Sequence, residues 1–475
     1  MTSPAATTGT QTDATEKRRA FFTSLAPVRA RDARRHSVYY RDRVRWLSHL
    51  IPSDASVFDI GCGIGTILRA LPQRKKTGID FSPAMIAEAK KGDPASTYLE
   101  DDIEHLEHRG SYDYVLLLDA IHFLRDVEQS LRMIRTHLCH PRTRLVITHY
   151  NFLWQPLFLI AEAVGWKTKF PEQNWLSRSD IANLLDLCGF EIVETSERVL
   201  FPFRIPLLEP FCNRFLASLP FFRSLGLVKT IIARPIGFDP ITPSVTILSA
   251  VRNERGNIPK IADAMPLMGS STELLFIEGH SSDGTFEEIE RVIAGSKSPV
   301  KIRGLRQPGK GKGDALHFGM TQATGDIIVI YDGDFTVHPS ELPKLVEVLA
   351  TGKAEYLNGS RLVYPLEKGA MRFLNLLGNK CFSVLFSWLF KQKMTDTLTP
   401  VKAFFRSDYA RMTLRMDPFG DFDIFFGASM QQRKMREVPI HYLERTYGTT
   451  KMRPFRHAAL LLKMFVFGAR RLRWI

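Results

Sequence analysis

At 475 residues the chain is too long for one ordinary core, so two or more domains are expected. Its 44% hydrophobic and 24% charged residues are those of a soluble globular protein, and a net charge of +14 calls for an anionic partner: nucleic acid, anionic lipid or nucleotide phosphate. Five scattered cysteines (Cys62, Cys139, Cys188, Cys212, Cys381) form no Cys-x-x-Cys pair and no His/Cys cluster, which speaks against a disulfide framework or structural zinc and fits a reducing cytosol.

Residues 1–15 are rich in Thr, Ala and Ser and lack an apolar core segment, so residues 1–20 are expected to be a disordered leader and not a signal peptide. Short apolar runs then alternate with helical patterns. Strands are expected at 57–60, 77–79, 114–118 and 145–148, with the pattern ending near 190–193. Residues 202–235, rich in Pro, Phe, Leu and Arg, read as an appended element of this first domain (21–236). Three prolines and a glycine in 235–243 mark a linker. A second series opens at 245–248 and continues through 274–278 and 327–331, giving a second α/β domain over 237–475. The longest strongly apolar stretch, 381–390, is far short of the ~20 residues that span a bilayer.

In the first domain, Asp59-Ile60-Gly61-Cys62-Gly63-Ile64-Gly65 lies between a strand and a helix. Glycines there allow a tight turn and close backbone approach, and the helix N-terminus adds a positive dipole. This suits a dinucleotide pyrophosphate or the carboxylate and ribose end of S-adenosylmethionine. Acids at the next strand ends separate the two. Asp80 can accept from both ribose hydroxyls, Asp102 can meet an adenine amino group, and Asp119 ends the fourth strand.

With Asp80-Phe81-Ser82-Pro83-Ala84-Met85 and Asp119-Ala120-Ile121-His122-Phe123-Leu124, residues 39–193 resemble the class I S-adenosylmethionine-dependent methyltransferases. The resemblance implies a Rossmann-like fold in which Gly61, Gly63 and Gly65 shape the cofactor loop, Asp80 binds ribose and Asp102 adenine. Methyl transfer needs mainly alignment, with a general base only for poor nucleophiles. His122 is the base candidate, or else a packed histidine; His149 and Tyr150 rank beside it.

In the second domain, Asp332-Gly333-Asp334 ends the apolar run 327–331. Two carboxylates one residue apart can hold Mg²⁺ or Mn²⁺ against a nucleotide diphosphate. Asn253-Glu254 follows the first strand, where a polar pair can hydrogen-bond a nucleobase. Glu278-Gly279-His280-Ser281-Ser282-Asp283 follows the second. Pro308-Gly309-Lys310-Gly311-Lys312-Gly313-Asp314 is a basic, glycine-rich loop whose lysines can reach phosphates. In this order, and with Ala323-Thr324-Gly325-Asp326, these motifs resemble the inverting GT-A glycosyltransferases of family 2 over residues 244–448. The resemblance implies a nucleotide-sugar donor, a metal on Asp332 and Asp334, and help from Lys312. Where many members carry paired aspartates, this chain has Glu278-Gly279, and Glu278 stands in for the first.

After the sheet come Asn358-Gly359-Ser360-Arg361, Arg372 and an apolar stretch over 373–390. That stretch reads as a buried core helix or as one lying on a membrane surface. A second such segment, 458–467, precedes Arg470, Arg471, Arg473 and Trp474. The layout resembles the polyprenyl-phosphate (dolichyl-phosphate) sugar synthases, which implies interfacial helices and places Arg361 and Arg372 on a lipid phosphate. The sequence departs from that branch at Asp396-Thr397-Leu398-Thr399-Pro400. A hydroxyl acceptor, such as a glycan, would instead need a base, and Asp421 and Asp423 are the candidates. Arg445 and Lys451, in the loop resembling one that folds over the diphosphate, are phosphate ligands or exposed charges. The expected protein is therefore a bifunctional enzyme, peripheral at the cytoplasmic face of an anionic membrane; the alternative is a glycosyltransferase acting on a glycan or small-molecule hydroxyl, with a non-catalytic S-adenosylmethionine-binding N-terminal module. Nucleic acid is set aside, because the basic residues accompany apolar stretches and not an aromatic-lined groove.

Overall fold

The computed structural model describes the whole chain except residues 1–7, 36, 166–167, 171–172, 202–204, 366–372, 413–419, 446, 448–453 and 474–475. Two compact units divide between Ile236 and Gly237.

The first unit is built on β1 (Ser56–Ile60), β2 (Lys75–Asp80), β3 (Thr97–Glu100), β4 (Tyr114–Leu118), β5 (Arg144–Tyr150), β6 (Phe190–Arg198) and β7 (Val228–Pro235). They form one sheet in the order β3-β2-β1-β4-β5-β7-β6. β1 to β5 are parallel, and β7 runs antiparallel between β5 and β6. Near-continuous burial of Val57, Phe58, Val115, Leu116, Leu117, Val146 and Ile147 is what a sheet covered on both faces requires. The stretch 202–235 was expected as an appendage. Its last eight residues instead complete the sheet. The expected leader also differs: from Thr8 the chain is helical, through Arg35.

The second unit carries β8 (Val245–Val251), β9 (Thr272–Glu278), β10 (Lys301–Arg306), β11 (Ile327–Tyr331), β12 (Tyr356–Ser360), β13 (Val401–Phe405) and β14 (Met435–Pro439). Their order is β10-β9-β8-β11-β13-β12-β14. β8 to β11 are parallel, and β13 is antiparallel to β11 and β12. In both sheets the strand order reverses beside the first strand. The crevice at the carboxyl ends of β1 and β4, and that of β8 and β11, are the places where open α/β sheets bind ligands.

The helices Phe373–Phe390 and Pro454–Leu472 correct the membrane-surface expectation in part. Phe386, Leu389, Phe390, Leu461, Met464 and Ala469 lie buried in the core over one face of the second sheet. Phe465 meets Phe386 and Trp388, and the Arg473 guanidinium lies over the Trp388 ring. Among the described residues of these helices, outer positions such as Leu377, Val384, Leu462 and Val466 stay exposed. Among the described residues, no helix is long and apolar enough to cross a membrane.

Candidate functional sites

At the end of β1 the chain turns through Gly61, Gly63 and Gly65, all at positive φ, and Gly65 caps the helix Thr66–Ala70. A side chain at Gly65 would collide with the Tyr98 hydroxyl, whereas the space over Gly63 is open. The Gly63 N–H donates to one oxygen of Asp80 and the Ser82 N–H to the other, each at 2.9 Å. The buried Asp80 carboxyl is raised by burial, which those two bonds oppose. Asp59, also buried, is pushed up to about 7 by burial, with Arg43 opposing and Asp80 adding. Asp102 caps the short 3₁₀ turn Ile103–His105 by accepting from the Glu104 N–H at 3.0 Å. Asp59, the three glycines, Asp80 and Asp102 thus gather at one edge of the sheet.

Asp119 and His122 differ from expectation. The Asp119 carboxylate accepts both arms of the Arg43 guanidinium at 2.8 and 2.9 Å, the Thr148 hydroxyl at 2.8 Å, and the Tyr39 hydroxyl. Burial raises its pKa, but Arg43 outweighs this and holds it below the usual value. Its polar capacity is used within the protein. His122 is buried, its Nε2 accepts the Tyr150 N–H at 2.9 Å, and its Nδ1 lies 2.7 Å from the Asn174 carbonyl. The Nε2 bond places the proton on Nδ1, so the ring is a neutral structural bridge without a lone pair to offer a substrate. His149 is also buried, and burial lowers its pKa to about 4 with His122 nearby.

In the second unit, Asp332 and Asp334 follow β11, and each is met by a cation from a different loop. Lys312, from the glycine-rich loop, lies 2.8 Å from Asp332, and Arg445, from the chain after β14, pairs with Asp334. Asp334 also accepts from the Thr336 hydroxyl at 2.7 Å. Arg445 reaches on towards Glu254 at 3.9 Å, whose other oxygen accepts from Asn257 at 2.7 Å. Asn253 accepts from the Ser282 N–H, which ties the loops after β8 and β9 together, and Glu278 accepts from the Ser281 N–H within its own loop. Asp283 accepts from Thr285 and from the Arg255 N–H; burial raises its carboxyl, and these bonds bring it below its ordinary value. Asp314 folds the basic loop by accepting from the Gly309 N–H at 3.0 Å. Two hard carboxylates one residue apart are a donor set that suits Mg²⁺ or Mn²⁺ once a diphosphate supplies the remaining oxygens. Among the described residues, no cluster of three or more acidic, His or Cys ligands forms a closed metal cage.

Arg361 was expected to reach a lipid phosphate. Its Nε and one terminal nitrogen instead donate to the two oxygens of Asp396, both at 2.8 Å, and the Arg361 N–H donates there as well at 3.0 Å. Asp396 is fully buried and also accepts from Asn379. Arg361 therefore fixes the turn after the sheet. Arg372 and Lys451 lie outside the described residues, as does the side chain of Asp421, the first residue of its helix. Asp423 is buried, with His317 Nε2 3.2 Å away and the Tyr409 hydroxyl 3.2 Å from Nδ1 of that ring. Sequence reading missed Arg43, Tyr39, Asp396 and His317. In each pair one partner lay in a recognised motif (Asp119, Asp423 and Arg361) and the other did not, Asp396 having been noted only as part of a departure from one.

The description "Methyltransferase domain" matches residues 58–144, and "Glycosyl transferase family 2" matches residues 246–417. The chain carries a methyltransferase domain and a family 2 glycosyltransferase domain. The glycosyltransferase domain is similar to Glycosyltransferase AglJ of Haloferax volcanii, 28% identical over 47% of this chain and 71% of the relative. It is also similar to a dolichol-phosphate mannosyltransferase of Pyrococcus furiosus, 27% identical over 44% and 59%. The methyltransferase domain is similar to trans-aconitate 2-methyltransferase of Escherichia coli, 28% identical over 28% and 53%. The chain thus spans under two thirds of the length of the last two relatives.

Proposed function

We propose that the glycosyltransferase domain moves a sugar from a nucleotide donor to a polyprenyl phosphate with inversion, and that the methyltransferase domain uses S-adenosylmethionine to methylate a related sugar or lipid-linked product. The observation that carries the first activity is the pairing of Asp332 with Lys312 and of Asp334 with Arg445. Two acids and two bases converge on the carboxyl end of β11, and the bases come from loops that can follow a diphosphate. Asp332 and Asp334 would hold Mg²⁺ or Mn²⁺, which when bound neutralises charge on the departing nucleoside diphosphate. Lys312 and Arg445 then turn from the carboxylates to the phosphate oxygens, and Asn253, Glu254, Glu278 and Asp283 shape the nucleoside pocket. A phosphate acceptor is already ionised near neutral pH and needs no base. Lipid as acceptor is supported by the dolichol-phosphate mannosyltransferase among the relatives.

The open space over Gly63 and the buried Asp59 and Asp80 support the cofactor reading. With His122 engaged at both nitrogens, catalysis by alignment fits this domain better than catalysis by a histidine base.

A second acceptor reading has its own observation. Arg361 is committed to Asp396 through two bonds of 2.8 Å, which leaves a lipid phosphate without the ligand expected for it. One experiment separates them. Purified protein, Mn²⁺, a panel of labelled nucleotide sugars and a short polyprenyl phosphate are combined, and label entering organic solvent is counted. Metal-dependent extraction that disappears in Asp334→Ala establishes the lipid-linked transferase. Donor hydrolysis without extraction transfers the reading to glycan hydroxyls and to Asp423.

A further inference from the structure

Asp332 and Asp334 each carry a cation of the chain itself: Lys312 lies 2.8 Å from one, and Arg445 pairs with the other. None of the four side chains is more than 32% exposed, so solvent and salt screen the pairs less than they screen a surface ion pair. A divalent ion approaching the carboxylates meets both cations first, and like charges repel.

Charge balance says what these four groups can accept. Two carboxylates and two cations sum to zero. A divalent metal alone leaves them doubly positive. A sugar-nucleotide diphosphate alone, with one charge on each phosphate, leaves them doubly negative. The two together restore zero and give every group a new partner, carboxylates with metal and cations with phosphate oxygens.

Arg445 also ties this balance to the nucleoside loops. It reaches from Asp334 towards Glu254, 3.9 Å away in the loop after β8. Two residues on, the Tyr447 hydroxyl lies 3.5 Å from Asp283, in the loop after β9. The Tyr447 ring lies over Gly256, where a Cβ would stand 2.8 Å from it. Arg445 and Tyr447 together therefore touch one metal-binding carboxylate and both loops that shape the nucleoside pocket. A nucleotide entering between those loops competes for Arg445, and the carboxylate that Arg445 gives up is one the metal needs.

We propose that Lys312 and Arg445 make metal and donor binding interdependent: their ion pairs exclude a bare divalent cation, and a nucleotide diphosphate admits the metal by drawing both cations away. The proposal rests on the nucleotide-sugar reading of the site. Such coupling is reciprocal, so the metal strengthens nucleotide binding by the factor by which nucleotide strengthens metal binding.

The test is Mn²⁺ binding to the full chain, with free Mn²⁺ read by electron paramagnetic resonance. Titrations use the metal alone and the metal with UDP or GDP, corrected for the Mn²⁺ that each nucleotide holds without protein. Wild type is expected to bind Mn²⁺ weakly alone and at least about tenfold more tightly with nucleotide. Arg445→Ala and Lys312→Ala are expected to move the two titrations in opposite directions. Mn²⁺ alone should bind about fivefold or more tightly, because a carboxylate is released, while the gain from nucleotide shrinks, because a phosphate partner is lost. Arg445→Lys should keep the wild-type pattern. Equal affinity of wild type and both alanine variants for Mn²⁺ alone would overturn the proposal, as would a wild type whose Mn²⁺ affinity ignores both nucleotides. Weakening of both titrations in the alanine variants would give the two residues a merely structural role and overturn it too. Asp334→Ala separates this failure from that of the underlying reading: if it binds Mn²⁺ as tightly as wild type, or if no protein binds Mn²⁺ at all, the metal site falls and the proposal with it.

Discussion

The buried carboxyl of Asp59 titrates at about 7 because burial disfavours its charge, against the pull of Arg43 and with the push of Asp80. An ordinary aspartate titrates near ~3.9, so the native state holds this proton more tightly than the unfolded chain. The stability it supplies is complete below pH ~4 and is lost as pH rises to about 7. In the proposed cofactor reading the Asp59 carboxylate meets the ammonium group of S-adenosylmethionine, and binding then has the opposite sign, since it favours the carboxylate. S-adenosylmethionine affinity is therefore expected to rise by up to about tenfold per pH unit below 7 and then level off. Asp59→Asn should flatten the profile; a flat wild-type profile would refute the assignment. Asp396 runs the other way: burial raises it, but Arg361 and its hydrogen bonds hold it below the usual range. Its contribution is present at neutral pH and lost as pH falls below ~4. Arg361→Ala leaves the buried Asp396 carboxylate without its counter-charge and is expected to destabilise the glycosyltransferase unit by about 3–5 kcal/mol, read by chemical denaturation. A selective rise in KM for the lipid phosphate, with stability unchanged, would restore Arg361 as a ligand. His122→Ala should likewise act on stability, by about 1–3 kcal/mol from the stranded Tyr150 N–H and Asn174 carbonyl, without removing a histidine limb from the pH–rate profile. These pairings also mark what the sequence could convey. The glycine loop and Asp332-Gly333-Asp334 were legible because their chemistry is local, packed into a few consecutive residues. Arg43 and Asp119 are 76 positions apart, and Arg361 and Asp396 are 35 apart. Only the fold decides that such charges meet, and their meeting removes two of the expected ligands from the surface.

At the scale of elements, the helix Thr8–Arg35 has the largest consequence. Its composition is polar and its apolar residues make only a short run, so the chain reads as a leader. What fixes it is tertiary: Phe22 packs on Phe81, Phe123 and Phe170, and Arg18 donates to the Phe123 carbonyl at 2.8 Å. Thr23 shares a hydrogen bond with Ser82, beside Asp80. The helix thus lies over the residues that follow β2 and β4, where the cofactor binds in the proposed reading. Cofactor binding is expected to slow tryptic cleavage at Arg18, Arg19 and Arg29 relative to the rest of the unit, followed by mass spectrometry of the peptides. Phe22→Ala should abolish that protection, because loss of a buried Phe costs about 3–5 kcal/mol of packing. Cleavage that is indifferent to cofactor would separate the helix from the site. β7 was misread for a different reason. Its strand Val228–Pro235 follows a stretch of Pro, Phe and Arg in which Leu207, Phe211 and Phe221 face outward, so the shift from surface to sheet leaves no clear change in hydropathy. The helices Phe373–Phe390 and Pro454–Leu472 show the same ambiguity, since apolar residues on several faces serve a core and a membrane alike.

For the molecule as a whole, the decisive feature is that each unit has its own sheet and its own hydrophobic clusters. Phe58, Leu117, Ile147 and Ile231 belong to clusters drawn wholly from the first unit, and Ile247, Phe276, Val329 and Leu357 to one drawn wholly from the second. Each therefore has the means to fold around a core of its own. Two thermal transitions are expected in calorimetry, since a two-state description holds for single domains and not for chains of this kind. A ligand stabilises only the unit that binds it, by RT ln(1 + [L]/Kd), or about 2.7 kcal/mol at a hundredfold excess over Kd. S-adenosylmethionine should raise one transition and leave the other in place, while nucleotide sugar with Mn²⁺ should do the reverse. Asp59→Asn and Asp334→Ala should each blunt only the matching shift. A single transition moved by both ligands would mean that the two units unfold as one, and that binding at either site stabilises both.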